Sequence, residues 1–446
     1  MPRLWFVYQR NFSLFSLAIL AVALVSRTNG TQNFNCQHSA NTEMTDDLRA
    51  YYLNFHNNQR RRLARGNSPA RSGKFNKAKN MYKLEWSCSI EELAKRAIAS
   101  CNADLTENRS FGQNLAGYTF WSSDGNVPRS HIKIKELIKK TLESWFNQAK
   151  EQGWKDPNNK FTNSGIYGFA NMANSKTTEI GCAHNICKGN TKVQILCLYN
   201  RVGTFTGASI YRTGKPCQKN SDCTVFPQST CDGQGLCIKK KEEPDDKTNT
   251  MCPRSSSTMT DKVRRKFLNL HNHYRSLVAT GRTYDKLLGK NTPKAAKMQK
   301  LKYSCDLEAT AWRYSQQCRF AHSTYQERNN AGENLYKNSI PRFDKLKVAS
   351  MSTEDWFEEV EDFGIGGAAN FSTRFSDAGH YTQMVWQDTR ELGCAIQDCR
   401  GMTLVVCHYK KAGNYIDEPV YTAGRPCSQC GNSELCNPNE GLCYSS

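Results

Sequence analysis

Apolar residues recur at helical spacing in two separate segments of the chain. The later stripe follows Thr260 and Asp261, a pair typical of a helix N-cap. It consists of Val263, Phe267, Leu270, Tyr274 and Leu277, and Leu48, Tyr52, Phe55 and Leu63 mark the same stripe in the earlier segment. Further helices are predicted over 307–318 and 354–363, and short apolar runs predict buried strands over 193–199 and 403–409. Helices early and strands late in each half predict an α+β fold, built twice.

The chain is an internal duplication. Met44-Thr45-Asp46 returns as Met259-Thr260-Asp261, and the later motifs return in the same order. Each repeat ends in a segment dense in cysteine, with ten cysteines in 36–237 and ten in 252–443. Equal, even counts favour disulfides within each repeat. The stretch 239–250 lacks large apolar residues and is predicted to be an exposed linker.

Composition narrows the class of protein. Hydrophobic residues make up 38% of the 446 residues and charged residues 23%, which is typical of globular proteins. The formal net charge of +20 suits a protein that meets acidic surfaces, such as glycosaminoglycans or anionic membranes. Twenty cysteines indicate an oxidising compartment, which argues against a cytosolic enzyme and against a nucleic-acid partner.

The N-terminus predicts secretion. Residues 12–25 form an uncharged apolar run of 14 residues, which is short for a membrane span and suits a signal peptide. The alternative is an uncleaved signal anchor. No second segment approaches 18 apolar residues, so we expect a secreted, extracellular protein without a transmembrane segment after cleavage.

Five motifs in order carry a resemblance to a known family. They are Gly379-His380-Tyr381-Thr382-Gln383-Met384-Val385-Trp386, His271-Asn272-x-x-Arg275, Gly332-Glu333-Asn334-Leu335, Trp356-x-x-Glu359 and Cys407-His408-Tyr409. The chain resembles the CAP superfamily of cysteine-rich secretory, antigen 5 and pathogenesis-related 1 proteins. Its double layout resembles the Ancylostoma-secreted-protein-like (venom-allergen-like) proteins of parasitic nematodes. The resemblance implies two tandem CAP domains, each a three-layer α-β-α sandwich with a cysteine-rich tail, and a role at the host–parasite interface.

The repeats and the resemblance together predict five regions. Residues 1–30 form the signal peptide and 31–212 the first CAP domain. Residues 213–250 form a cysteine-rich hinge and charged linker, 251–424 the second CAP domain, and 425–446 a cysteine-rich tail.

The resemblance also implies a cleft with two histidines and two acidic residues. Carried onto this chain, they are His322, Glu333, Glu359 and His380. Helical geometry agrees with Glu359, which lies about 60° from Trp356 around the helix, whereas Glu358 is expected to face water. Such a set suits Zn²⁺, and the alternatives are proton transfer or a purely structural polar cluster.

The first repeat lacks these residues. Leu105, Gln113, Gln148 and Gly168 stand at the four corresponding positions, so a metal site is expected in the second repeat only. His56 and Arg60 persist, as do their counterparts His271 and Arg275, which we interpret as a structural network.

All twenty cysteines are predicted to form disulfides, although Cys427-x-x-Cys430 also has zinc-type spacing. They are Cys36, Cys88, Cys101, Cys182, Cys187, Cys197, Cys217, Cys223, Cys231 and Cys237 in the first repeat, and Cys252, Cys305, Cys318, Cys394, Cys399, Cys407, Cys427, Cys430, Cys436 and Cys443 in the second.

Two further signals concern the surface. Asn108 and Asn370 begin glycosylation sequons. The basic runs 60–62 and 133–140 lie on predicted helices. One interpretation is that they are solvated helix faces, and the other is that they attract glycosaminoglycan or anionic lipid.

Three functions remain open. The first is a secreted, non-enzymatic effector that binds a host protein or receptor. The second is a lipid or sterol carrier, and the third is a metal-dependent hydrolase. No obvious nucleophile with a paired base supports the hydrolase, because adjacency of Ser323 to His322 in sequence does not show a hydrogen bond between them.

Overall fold

A computed structural model describes residues 33–36, 44–102, 110–120 and 127–445. The predicted signal segment lies outside these residues. Within them, no helix has both the length and the apolar character needed to cross a membrane.

The first repeat places helices on both faces of one sheet. Its four-stranded sheet has the order β2-β4-β5-β3, with β2 parallel to β4 and the other pairs antiparallel. Its described helices are α1 (Asp46–Ala64), α2 (Cys88–Ala97), α3 (Ile134–Glu151) and α4 (Tyr167–Ala173). Its described strands are β1 (Ala78–Lys79), β2 (Glu85–Trp86), β3 (Gly112–Thr119), β4 (Glu179–Ile186), β5 (Lys192–Tyr199), β6 (Arg212–Thr213), β7 (Thr230–Cys231) and β8 (Cys237–Ile238).

The second repeat has the same topology, with the sheet order β11-β13-β14-β12. Its helices are α5 (Asp261–Ala279), α6 (Cys305–Ser315), α7 (Lys345–Asp362) and α8 (Gly379–Met384). Its strands are β9 (Tyr284–Asp285), β10 (Lys290–Asn291), β11 (Lys302–Tyr303), β12 (Gly332–Asn338), β13 (Glu391–Cys399), β14 (Met402–Lys410), β15 (Leu435–Asn437) and β16 (Leu442–Tyr444). The predicted α+β class with two tandem three-layer sandwiches is confirmed.

Alternation along the strands creates two cores per sheet. In β5, Ile195 and Tyr199 face the core that also contains residues of α1, α3 and α4. Leu196 and Leu198 face the opposite way and pack with Ile90 of α2. Successive side chains of a strand point to opposite faces, so a sheet covered by helices on both sides buries both sets.

Each repeat contains one fully buried arginine that binds five backbone carbonyls. Arg275 on α5 donates from Nε to Gln299 O at 2.7 Å and from its two Nη atoms to four carbonyls. Those four acceptors are the carbonyls of Met384, Trp386, Gln387 and Thr389. Arg60 on α1 makes the equivalent five contacts. Arg60 is therefore not part of a solvated basic run: only Arg61 and Arg62 of that run retain any exposure.

A buried histidine one turn before each arginine ties the same helix to the sheet. His271 Nδ1 lies 2.8 Å from Phe267 O, and its Nε2 lies 2.9 Å from the Tyr409 hydroxyl. His56 makes the matching contacts with Tyr52 O and the Tyr199 hydroxyl. The interpretation of His271 and Arg275 as a structural network is confirmed.

All twenty cysteines are paired, with five disulfides in each repeat. The first repeat contains Cys36–Cys88, Cys101–Cys187, Cys182–Cys197, Cys217–Cys231 and Cys223–Cys237. The second contains Cys252–Cys305, Cys318–Cys399, Cys394–Cys407, Cys427–Cys436 and Cys430–Cys443. The two cysteines with zinc-type spacing, Cys427 and Cys430, are therefore disulfide partners of Cys436 and Cys443.

The strands and α5 agree closely with the sequence pattern, but two helices differ. Helix α6 begins at Cys305 because Ser304 caps it through Leu307 N, and it ends three residues before the predicted Cys318. Helix α7 begins at Lys345, nine residues before the predicted start, because Asp344 accepts a bond from Lys347 N and caps it there.

Helix α7 packs against the first repeat, and its acidic residues meet cations there. Lys176 lies 2.6 Å from Glu361 and 3.5 Å from Glu358, and Arg201 lies 2.6 Å from Glu354 and 3.4 Å from Glu358. The expectation that Glu358 faces water is wrong, because helical geometry within one repeat cannot show that the other repeat covers that face.

The buried histidines predict acid sensitivity. Burial lowers the pKa of His56 to about 4 and that of His271 to about 3. A histidine with a lowered folded pKa contributes stability that is present above its unfolded pKa of about 6.5 and is lost as the pH falls below it. Between pH 7 and pH 5 each should contribute about 2 kcal/mol to the loss of unfolding free energy.

The measurement is urea unfolding at both pH values for the wild type and His271→Gln. The variant should be less stable at pH 7 but should lose about 2 kcal/mol less on acidification. His56→Gln is the matched substitution in the other repeat. Parallel pH dependences in wild type and variant would contradict the assignment.

Candidate functional site

The first half of the site joins α7 to α8. His380 Nδ1 donates to Glu359 Oε1 at 2.5 Å, and Tyr381 N donates to Glu359 Oε2 at 2.9 Å. The His380 ring stacks on Trp356, with ring centroids 5.9 Å apart. Because α8 begins at Gly379, the helix fixes the backbone of His380, and the carboxylate fixes its ring.

The second half of the site is built around Glu333, on β12. Its Oε1 accepts bonds from His322 Nδ1 at 2.7 Å and from Ser323 N at 2.9 Å. Its Oε2 accepts bonds from Ser323 Oγ at 2.6 Å and from His408 Nε2 at 3.1 Å. Burial alone would raise the pKa of Glu333, but the bonds from His322, His408 and Ser323 hold it well below its ordinary value. Glu333 is therefore a buried carboxylate with both oxygens fully engaged.

His408 is a member of this cluster that the sequence analysis did not assign. It lies on β14 directly opposite Glu333 in the strand register, and its side chain is fully buried. Thr310 Oγ1 of α6 lies 2.8 Å from its Nδ1. Burial lowers the pKa of His408. The signal was the motif Cys407-His408-Tyr409 itself, because strand alternation turns His408 away from Cys407 and Tyr409.

Arg328 supports the loop that carries His322. Its Nε donates to Ala331 O at 2.7 Å, and its Nη1 contacts both the carbonyl and, at 3.2 Å, the hydroxyl of Ser323. The loop also begins at a disulfide, because Cys318 is bonded to Cys399. His322 thus sits on a segment held at both ends, although 62% of its side chain is exposed.

The structure joins the predicted four residues as two separate His–Glu pairs. In both pairs Nδ1 donates to the carboxylate, so Nε2 carries the lone pair, and no described residue bonds Nε2 of either ring. A histidine that binds a metal ion through one ring nitrogen commonly donates its other ring N–H to a carboxylate in the same way. Among described residues, the groups of three or more ligand atoms within 4.8 Å all contain disulfide cysteines, so the four predicted residues do not form a group of three such ligand atoms.

The first repeat keeps the backbone arrangement of this site but lacks its charged side chains. Gln113 of β3 faces Leu198 where Glu333 faces His408. Gln148 Oε1 accepts a bond from Phe169 N at 3.1 Å, which is the bond that Tyr381 N makes with Glu359. Gly168 stands at the position of His380, and Leu105 lies outside the described residues.

The surroundings of Gly168 leave little room for a side chain. A Cβ at this position would lie 2.9 Å from Gln148 Oε1 and 3.0 Å from Trp145 Cβ. A histidine there would require the Gln148 and Trp145 side chains to move.

Of the two predicted glycosylation positions, Asn370 is exposed in the structure. Asn108 lies outside the described residues.

The fold and the site define the class of protein. The model of the CAP family, described as the cysteine-rich secretory protein family, matches residues 53–199 and 268–409. The chain belongs to this family, and it carries the family fold twice.

Two of the following three relatives align with both repeats. The Ancylostoma secreted protein of Ancylostoma caninum is 41% identical over 430 residues, which cover 95% of this chain and 97% of that protein. The crystal structure of Na-ASP-1 is 42% identical and covers 92% of this chain and 100% of its own, with a TM-score of 0.71. The structure of NaASP2 with Zn²⁺ is 42% identical over 43% of this chain and 99% of its own, with a TM-score of 0.41.

The crowding at Gly168 can be tested with a pair of glycine substitutions. Gly168→Ala should lower the unfolding free energy by about 1–3 kcal/mol, because the added methyl group overpacks the site. Gly379→Ala is the matched control, since its Cβ would meet only Asn414 Nδ2 at 3.9 Å. It should be neutral or slightly stabilising in the same urea titration. Equal effects of the two substitutions would contradict the steric argument.

Proposed function

We propose that the protein is a secreted, non-enzymatic CAP protein that acts at the host–parasite interface by binding a host protein or receptor. We further propose that the cleft of its second repeat binds a divalent metal ion, for which Zn²⁺ is the best fit. The observation that carries the metal assignment is the pair of Nδ1–carboxylate bonds at His322 and His380.

The donor set supports Zn²⁺ with an open coordination sphere. Two neutral imidazoles suit a borderline ion, and water would complete the tetrahedral geometry. Glu333 and Glu359 already accept bonds from two or more donors, so their role is to orient the rings rather than to coordinate the ion. The bound ion would act as a Lewis acid or as a bridge to a ligand.

The position of Ser323 supports a non-enzymatic function. Its hydroxyl donates to the Glu333 carboxylate and contacts Arg328. A serine nucleophile needs its proton to be accepted by a base that later returns it. His322 points its Nδ1 at Glu333 instead, and Glu333 is a weak base because the bonds it accepts hold its pKa well below the ordinary value. Ser323 therefore belongs to the support of the histidine.

Two observations support secretion and a surface function. Ten disulfides are typical of an extracellular protein. The relative that aligns with 95% of this chain is named a secreted protein. The first repeat keeps its buried Arg60 network and its disulfides. At the two positions where the second repeat has the carboxylates of the site, the first repeat has glutamine. A repeat that keeps the fold but lacks the charged residues of the site is suited to binding a partner through its surface.

The host partner can be tested by binding. The intact chain, immobilised, should retain a protein from host plasma or leukocyte membranes saturably, and free intact chain should compete. The variant carrying both His322→Ala and His380→Ala should retain the partner if the surface, rather than the cleft, binds it. Retention of the same material by the reduced and alkylated chain would contradict a folded binding surface.

The metal site can be tested by calorimetry. The intact chain should bind about one Zn²⁺, and His380→Ala should abolish binding because one of two imidazoles is lost. His131→Ala, which removes an exposed histidine of the first repeat, is the control and should leave binding unchanged. Gln113→Glu in the first repeat should not create a second site.

A chelator should remove the ion without unfolding the chain, because disulfides and the two cores hold the fold. Two equivalent sites, or full binding in the His322→Ala and His380→Ala double variant, would overturn the assignment.

A further inference from the structure

The two repeats and the linker between them enclose a basic groove that is separate from the histidine cleft. Its volume is about 620 Å³. Linker residues 239–243 form one wall, and the polar face of α5 forms the other. Residues 226–228 of the first tail lie at its edge. Because it contains no residue of the cleft, the inference drawn from it does not rest on the proposed function.

Cations exceed carboxylates in this groove by three. The cations are residues 239–241, Lys262, Arg265 and Lys266 together with Lys300, and the carboxylates are Glu242, Glu243, Glu354 and Glu440. Three carboxylates are already paired, in Lys266–Glu242 at 2.6 Å, Lys239–Glu354 at 2.8 Å and Lys300–Glu440 at 2.6 Å. No ion pair joins the other four cations to a carboxylate of the groove; they are Lys240, Lys241, Lys262 and Arg265. Outside the groove lining, Asp246 interacts electrostatically with Lys262 and Arg265.

These four cations lie on two facing elements. Lys240 Nζ donates to Gln228 Oε1 at 2.8 Å, and Lys262 Nζ donates to Pro244 O at 2.6 Å, so the linker is fastened to the edge of the groove and to α5. Lys241 lies 3.7 Å from Glu85, with 78% of its side chain exposed. Arg265 is exposed and forms no ion pair with any described residue. Positive charge thus extends along the groove on both sides.

The remaining chemistry of the groove favours a sulfated polysaccharide. Exposed Asn269 and the amide of Gln228 add neutral hydrogen-bonding groups, which suit sugar hydroxyls beside sulfate oxygens. An anionic membrane would be expected to engage exposed apolar side chains, and a single-stranded nucleic acid to stack on exposed aromatic ones. None of the large hydrophobic residues found exposed in the described part of the chain lines this groove.

We propose that this groove binds a sulfated glycosaminoglycan chain, with Lys240, Lys241, Lys262 and Arg265 contacting its sulfate and carboxylate groups. This location differs from both basic runs of the sequence. Arg60 of the first run is buried, and the exposed lysines of 133–140 on and beside α3 lie outside the groove.

The test compares two charge reversals of equal size in the full chain. Binding of a heparin-derived octasaccharide is measured by calorimetry for the wild type, for the groove variant Lys240→Glu with Arg265→Glu, and for the α3 variant Lys139→Glu with Lys140→Glu. All four side chains are exposed, so both variants should fold, and their thermal midpoints check this.

The groove variant should bind at least tenfold more weakly than the wild type, and the α3 variant should change affinity less than twofold. The fully desulfated octasaccharide should not bind the wild type measurably. Equal losses in the two variants would show attraction by net charge alone and would overturn the proposal. Unchanged octasaccharide binding in the groove variant would overturn it as well. If the groove variant lost binding to phosphatidylserine vesicles but kept its octasaccharide binding, the groove would be a lipid site and the proposal would be wrong.

Discussion

The buried arginine of the first long helix holds each repeat together. Its five N–H groups satisfy five carbonyls that come from two separate segments of irregular backbone. Burial lowers the pKa of Arg275 to about 9, which leaves the guanidinium charged at neutral pH. A buried carbonyl without a hydrogen-bond donor carries a desolvation cost. Because one arginine side chain donates to all five carbonyls, these irregular segments can be buried inside the protein. A lysine at the same place has three donors and cannot meet five acceptors.

This constraint reaches the cleft directly. The carbonyls of Met384 and Trp386, which Arg275 binds, lie at the end of α8, and His380 lies at its beginning. Asn334 beside Glu333 donates to the carbonyl of His380, so β12 and α8 are also joined across the site. His380 is therefore placed by backbone contacts that both repeats share, and its acidic partner is a local addition to that frame. The first repeat shows the frame without the addition, since Asn114 still donates to Gly168 O.

Much of this arrangement follows from the sequence because it depends on local periodicity or on motif order. The stripe from Val263 to Leu277 gives α5, the equal cysteine counts give disulfides confined to each repeat, and the motifs give the two His–Glu pairs. The rest depends on contacts between distant segments. His408 joins Glu333 through strand register, which a single sequence does not display. Glu358 meets Lys176 and Arg201 because another repeat lies there. The first nine residues of α7 mix lysines and small residues with Leu346, Val348 and Met351, and their helical state depends on a cap and on packing.

The contact between α7 and the first repeat has a consequence for how such chains diversify. Glu354 lies between Lys239 and Arg201, and Glu361 lies between Lys176 and Arg212, so carboxylates of the second repeat are neutralised by cations of the linker and of the first repeat. A single buried carboxylate without its partner is costly, so neither side can change its charges alone. Recombination that exchanges one repeat between paralogues would separate these partners. The charges of the two halves are therefore constrained to change together, although each half has the complete fold of its family.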